Sequence, residues 1–92
     1  GVQTCALPIC FTQTTQGAYR DIAHGLTLSK ILSVEVIVSP TSTTKHFKKW
    51  TAYPTYEFDY YVDDTKVQIL NITGNSGSIL NKPLTIYITY EE

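Results

Sequence analysis

Few side chains in this sequence are of types that do chemistry, and their spacing decides which chemistry. The imidazoles are His24 and His46. His24, in Ala23-His24-Gly25, has the type of a general base or a metal ligand, but base catalysis needs an oriented partner that the flanking residues do not supply. The role expected for it is structural: its ring ties a strand end to a neighbouring backbone carbonyl beside a tight glycine turn. His46 lies among Lys45, Lys48 and Lys49 and reads as solvated. Asp59, Asp63 and Asp64 are oxygen ligands by type, yet their spacing matches no calcium loop such as the EF-hand, so a solvated turn is expected. Asn71-Ile72-Thr73 has the form of a glycosylation acceptor at an inward or strand-end position. Trp50, Tyr53 and Tyr56 offer flat rings on which the apolar face of a sugar packs, with Lys or Asp nearby to bond its hydroxyls. Packing in a core or strand is the competing role for the same rings. These three are the candidate ligand-binding residues. No catalytic residue, metal site or cofactor is expected, since no phosphate loop or zinc spacing occurs.

The two cysteines, Cys5 and Cys10, fall inside a segment with a different explanation. Gly1 to Ile9 resembles, residue for residue, the translation in one frame of a common short-read sequencing adapter, and the adapter's leftover base, T, begins both codons of Cys10. A disulfide or a metal pair is therefore not expected of them. Residues 1–10 are expected to be non-native and adapter-derived. Residues 11–92 then form a single β domain, an N-terminally truncated fragment of a longer protein whose upstream domains and signal peptide are missing from the sequence.

The elements that must position these side chains are strands, because apolar residues recur with period two almost throughout. Leu32, Val34, Val36 and Val38 share one face, until Ser39-Pro40 stops the ladder for want of an amide donor. Phe58, Tyr60 and Val62 alternate with Glu57, Asp59 and Tyr61; Asp63-Asp64 turns the chain, and residues 66–72 return as the other half of a hairpin. Thr73 to Gly77 is a loop, and Pro83 opens a last strand with Leu84, Ile86, Ile88 and Tyr90 on one face. Weaker patterns predict an opening strand over Ala18 to Ala23, a turn or single helical turn over Leu26 to Lys30, and a strand from Phe47 to Tyr53 after the polar run Thr41 to Lys45. The expected fold is all-β, a small antiparallel β-sandwich or open barrel of about five to seven strands.

Composition narrows function by exclusion. The 92 residues carry 7 basic and 8 acidic side chains, a formal net charge of -1 that gives no electrostatic support to nucleic-acid binding. Apolar runs are far shorter than the roughly 20 residues of a membrane span, so no membrane insertion is expected. At 42% hydrophobic, the chain has enough apolar surface to fold. A domain this small buries only about 60–65% of its unfolded surface. Either its core suffices or a neighbouring subunit covers part of it, and exposed tyrosines and strand edges suit a homo-oligomer.

Three segments carry a resemblance. Ile22-Ala23-His24-Gly25-Leu26, then Ser29-Lys30-Ile31-Leu32-Ser33-Val34, and finally Asn81-Lys82-Pro83-Leu84-Thr85-Ile86-Tyr87-Ile88-Thr89-Tyr90 are similar, in that order, to small C-terminal β domains of bacteriophage tail fibre and related virion proteins. The similarity covers most of residues 18–90. It implies a non-enzymatic structural or receptor-binding module at a fibre tip, commonly trimeric, that binds a host surface glycan or protein and resides in the virion tail. It supplies no binding motif that maps onto individual residues. The alternative function is an accessory carbohydrate-binding β-sandwich of a secreted bacterial polysaccharide enzyme or adhesin, placed outside the cell. A small hydrolase is a third reading, and it would need His24 or a carboxylate pair in a cleft.

Overall fold

A computed structural model of the chain describes residues 1–7, 10–47 and 54–92, with Phe47 described by its strand position only. Its strands are β1 (Val2–Ala6), β2 (Cys10–Phe11), β3 (Tyr19–Ala23), β4 (Ile31–Thr41), β5 (Thr44–Phe47), β6 (Phe58–Val62), β7 (Lys66–Asn71) and β8 (Pro83–Glu91). They make two antiparallel sheets, one ordered β1-β8-β4-β5 with β2 also on β8, the other β3-β7-β6. The expectation of a small antiparallel β-sandwich holds. Six of the eight strands among the described residues follow residue 11, within the five to seven expected of the domain, and residues 1–11 add two short ones along β8.

β8 and β4 form the centre of the larger sheet. Their alternation faces Leu84, Ile86 and Ile88 inward beside Val38, Val36 and Val34. The smaller sheet closes over them with Phe58, Val67 and Ile69, and all of these except the half-buried Val34, which packs against the rest, make a continuous buried cluster. Burying each such aliphatic side chain contributes roughly 1.5–3 kcal/mol. Ile79, from a 3₁₀ turn at Gly77–Ile79, fills the same cluster although it belongs to no strand. Tyr60 ties one sheet to the other by donating its hydroxyl to the Val34 carbonyl at 2.8 Å. Burial first, and then the carboxylates of Glu35 and Asp59, push the Tyr60 phenol above its ordinary pKa.

Two irregularities in β4 depart from simple alternation. Ile31 pairs with Tyr90 but Ser33 already pairs with Thr89, so one extra residue is bulged out. Leu32 is consequently 51% exposed instead of sharing the core face with Val34, and Ile31 packs inward in its place. The second irregularity lies between Val38 and Thr41. Pro40 does not end the strand: the register shifts across it and β4 continues into a two-residue turn and β5. The polar run from Thr41 to Lys45 is thus the end of a hairpin rather than an open loop.

β1 pairs with β8 from Val2↔Glu91 to Ala6↔Tyr87. An open strand edge accepts an extended segment of almost any sequence, so this pairing describes the edge of β8 and not the origin of the segment. Cys5 and Cys10 sit opposite Ile88 and Leu84 and are both free thiols. Four residues of strand separate those positions, about 13 Å, whereas a disulfide needs Cα atoms within about 7 Å.

Candidate ligand-binding site

The first two of the sequence-predicted aromatics, Trp50 and Tyr53, lie outside the described residues. Tyr56 is described, and it stands in a setting that the sequence does not announce. Its ring stacks on His46 with centroids 4.2 Å apart and planes inclined by 7°. The pair borders an open depression of about 600 Å³ lined by Thr41, Thr43, Thr44, Lys45, His46 and Tyr56. His46 is therefore half-buried against a ring and not the solvated side chain that its lysine-rich surroundings suggest.

Two elements build this arrangement. The first is the β4–β5 hairpin, whose turn residues Ser42 and Thr43 separate Thr41 from its partner Thr44. The Thr41 hydroxyl is the hub of the turn: it lies 2.7 Å from the Thr44 hydroxyl and accepts the Thr43 amide at 3.3 Å. A hydroxyl has one donor and two acceptor positions, so Thr44, with one bond, keeps capacity for a further partner. His46 follows on β5 opposite Val38.

The second element is the entry to β6. Thr55 has φ +68°, a left-handed conformation that a β-branched residue seldom adopts. Its surroundings hold it there. The Thr55 amide donates to Asn75 Oδ1 at 2.7 Å, its hydroxyl meets the Ser78 hydroxyl at 2.7 Å, and its carbonyl accepts the Ser78 amide at 2.9 Å. The same Asn75 donates to Glu57 Oε1 at 3.0 Å. Residues 55 and 57 are both fastened to the loop that follows β7, and the backbone of Tyr56 between them is fixed. A left-handed non-glycine residue costs of order 1–3 kcal/mol and persists where the surroundings over-determine it.

The remaining chemistry-bearing residues serve the fold. His24 is buried; its Nδ1 accepts the Leu26 amide at 2.9 Å, so the proton is on Nε2, which donates to the Asp63 carbonyl at 2.8 Å. Gly25 beside it has φ +68°. The ring fastens the end of β3 to the β6–β7 turn. That turn is organised by Asp63, whose Oδ1 accepts the amides of Thr65 and Lys66 at 3.0 and 2.9 Å while Oδ2 accepts Lys66 Nζ at 2.6 Å. These bonds, the lysine's first, hold the Asp63 carboxyl well below the ordinary carboxylate range. Asp59 Oδ1 accepts the amide of Tyr60 at 2.9 Å. Among the described residues no three His, Cys, Asp or Glu side chains converge to hold a metal ion. Asn71 is buried, and its side-chain amide donates to the carbonyls of Gln13 and Thr15. It is thereby spent on holding the segment before β3.

Reading the sequence alone misses Thr41, Thr43, Thr44, Lys45 and His46 as neighbours of Tyr56. The signal that does exist is the threonine run on either side of a two-residue turn, a pattern of strand formers around a hairpin. No known family model, curated protein or solved structure matches the chain.

Proposed function

We propose that this chain is a non-enzymatic recognition module, the tip of a bacteriophage tail fibre, that binds a host surface glycan in the depression at the β4–β5 turn. The observation that carries the binding reading is the stacked His46–Tyr56 pair beside the threonine hydroxyls. Planar rings match the C–H face of a sugar, and convergent hydroxyls match its polar edge. The placement on a fibre rests on the resemblance of residues 18–90, and in that setting the module is trimeric. An accessory carbohydrate-binding sandwich of a secreted enzyme or adhesin uses the same depression.

Two measurements test the proposal. Tyr56 also packs against the core, so its truncation is read below the melting temperature of the variant: glycan-array binding by the chain, lost about tenfold or more in folded Tyr56→Ala, supports recognition at this site. Absence of binding to any glycan refutes it. Light scattering then separates the two settings, a trimer supporting the fibre tip and a glycan-binding monomer the accessory module.

A further inference from the structure

Charge along the chain is unevenly placed, and the depression lies in the uneven part. Residues 36–56 contain three of the seven basic side chains, Lys45, Lys48 and Lys49, and none of the eight acidic ones. Four basic residues face all eight acids in the rest of the chain. Lys45 is the one charged side chain that lines the depression among the described residues. The nearest acids in sequence are occupied or lie elsewhere. Glu57 Oε1 accepts the side-chain amide of Asn75, and Glu35 lies on the outward face of β4 opposite Tyr87.

We infer that the ligand is an anionic saccharide, a polysaccharide bearing hexuronate carboxylates, and this inference rests on the glycan-binding reading above. A sugar carboxylate meets two matched groups at this place. The Lys45 ammonium supplies charge, and the hydroxyls of Thr41, Thr43 and Thr44, whose two mutual bonds use two of their three protons, retain one O–H for a neutral hydrogen bond. The ring pair accepts the sugar's C–H face, so both ends of one uronate residue find a partner in the same depression. Among the described residues no acidic side chain lines the depression beside Lys45, so a polyanion meets an attraction there that nothing in the lining opposes. A neutral glycan would gain nothing from that attraction.

The test measures affinity of the full chain for polygalacturonate and alginate against dextran and neutral galactan, at low and high salt. The expected result is binding to the two polyuronates that weakens as salt screens it. Lys45→Glu weakens it about fivefold, as expected for reversing one charge at an exposed site that faces the ligand. Lys30→Glu makes the same change in net charge at the other end of β4 and leaves the affinity as it was. Binding to neutral polysaccharides alone, or equal losses in Lys45→Glu and Lys30→Glu, overturns the anionic preference and leaves glycan recognition standing. Binding to no polysaccharide of either kind overturns both.

Discussion

Replacing Thr55 by alanine and, separately, by glycine gives a test in which the sign of the difference carries the answer. At an ordinary strand or loop position glycine is the less stable of the two by about 0.5–1 kcal/mol, because its unfolded chain has more freedom to lose. At φ +68° the order inverts. Alanine keeps a Cβ that crowds the backbone in the left-handed region, a cost of roughly 1–2 kcal/mol, which glycine does not pay. Both variants lose the hydroxyl contact with Ser78, and both keep the amide bond to Asn75 Oδ1, so those contributions cancel between them. Subtracting the entropic term leaves Thr55→Gly more stable than Thr55→Ala by about 0.5–1 kcal/mol. For a domain of this size that is a melting-temperature gap of about 2–8 °C, readable by calorimetry or by urea midpoints at constant m. Glycan affinity should fall in the glycine variant, whose backbone holds Tyr56 less firmly. If alanine proves the more stable variant by its usual margin, Thr55 is not held left-handed, and the account of how Tyr56 is positioned fails.

Four further outcomes are expected. Tyr60→Phe removes the hydroxyl that joins the sheets and should cost about 1–2 kcal/mol in chemical denaturation; no change would mean that water replaces the bond without penalty. His24→Ala leaves the Asp63 carbonyl and the Leu26 amide without their ring partner and should cost about 2–4 kcal/mol, whereas a catalytic histidine would show its loss in activity at unchanged stability. For Asp63, whose carboxyl is held below its ordinary range, the stabilisation is fully present above the unfolded value near 3.9 and disappears as pH falls through the folded value. The stability gap between the parent chain and Asp63→Asn should therefore be widest at neutral pH and narrow steadily once pH falls below about 4, and a gap of the same size at pH 7 and at pH 2 in urea titrations contradicts the assignment. Deleting residues 1–9 should leave a single cooperative transition weakened by about 1–3 kcal/mol, because the buried cluster runs from Val36 to Ile88 and, among the described residues of the deleted segment, Cys5 and Leu7 pack against it from its rim; a broad, non-cooperative transition would make that segment integral to the fold.

Much of the sandwich is legible in the sequence because period-two alternation reports directly on one-sided burial. β6, β7 and β8 follow from it with their turns, and so does the His24-Gly25 break. The alternation of β4 misleads at both ends for one reason: counting by twos assumes an unbroken register. A bulge between Ile31 and Ser33 turns Leu32 outward, and a second across Pro40 lets the strand run on where a proline would otherwise stop it. Ile79 is invisible for the opposite reason, since the isolated pair Ile79-Leu80 between polar residues is too short to show a period. At the site, Tyr56 stands out as an aromatic, but its partner His46 is ten positions away and reaches it through a hairpin and a left-handed threonine. Neither is encoded in local composition, because threonine is among the residues least expected at positive φ.

The central place of β8 sets the order in which the molecule can be made. It is the last strand along the chain, yet β1, β2 and β4 all hydrogen-bond to it. During synthesis the β4–β5 and β6–β7 hairpins can close as soon as they leave the ribosome, and β3 can add to β7 soon after. The larger sheet has to wait, with one edge of Val34-Glu35-Val36-Ile37-Val38 unpaired until Ile86 and its neighbours arrive. A long wait for a distant partner makes folding slow and leaves a sticky edge exposed meanwhile. Glu35 interrupts that apolar run with a charge, on the face that remains outward once β8 is in place.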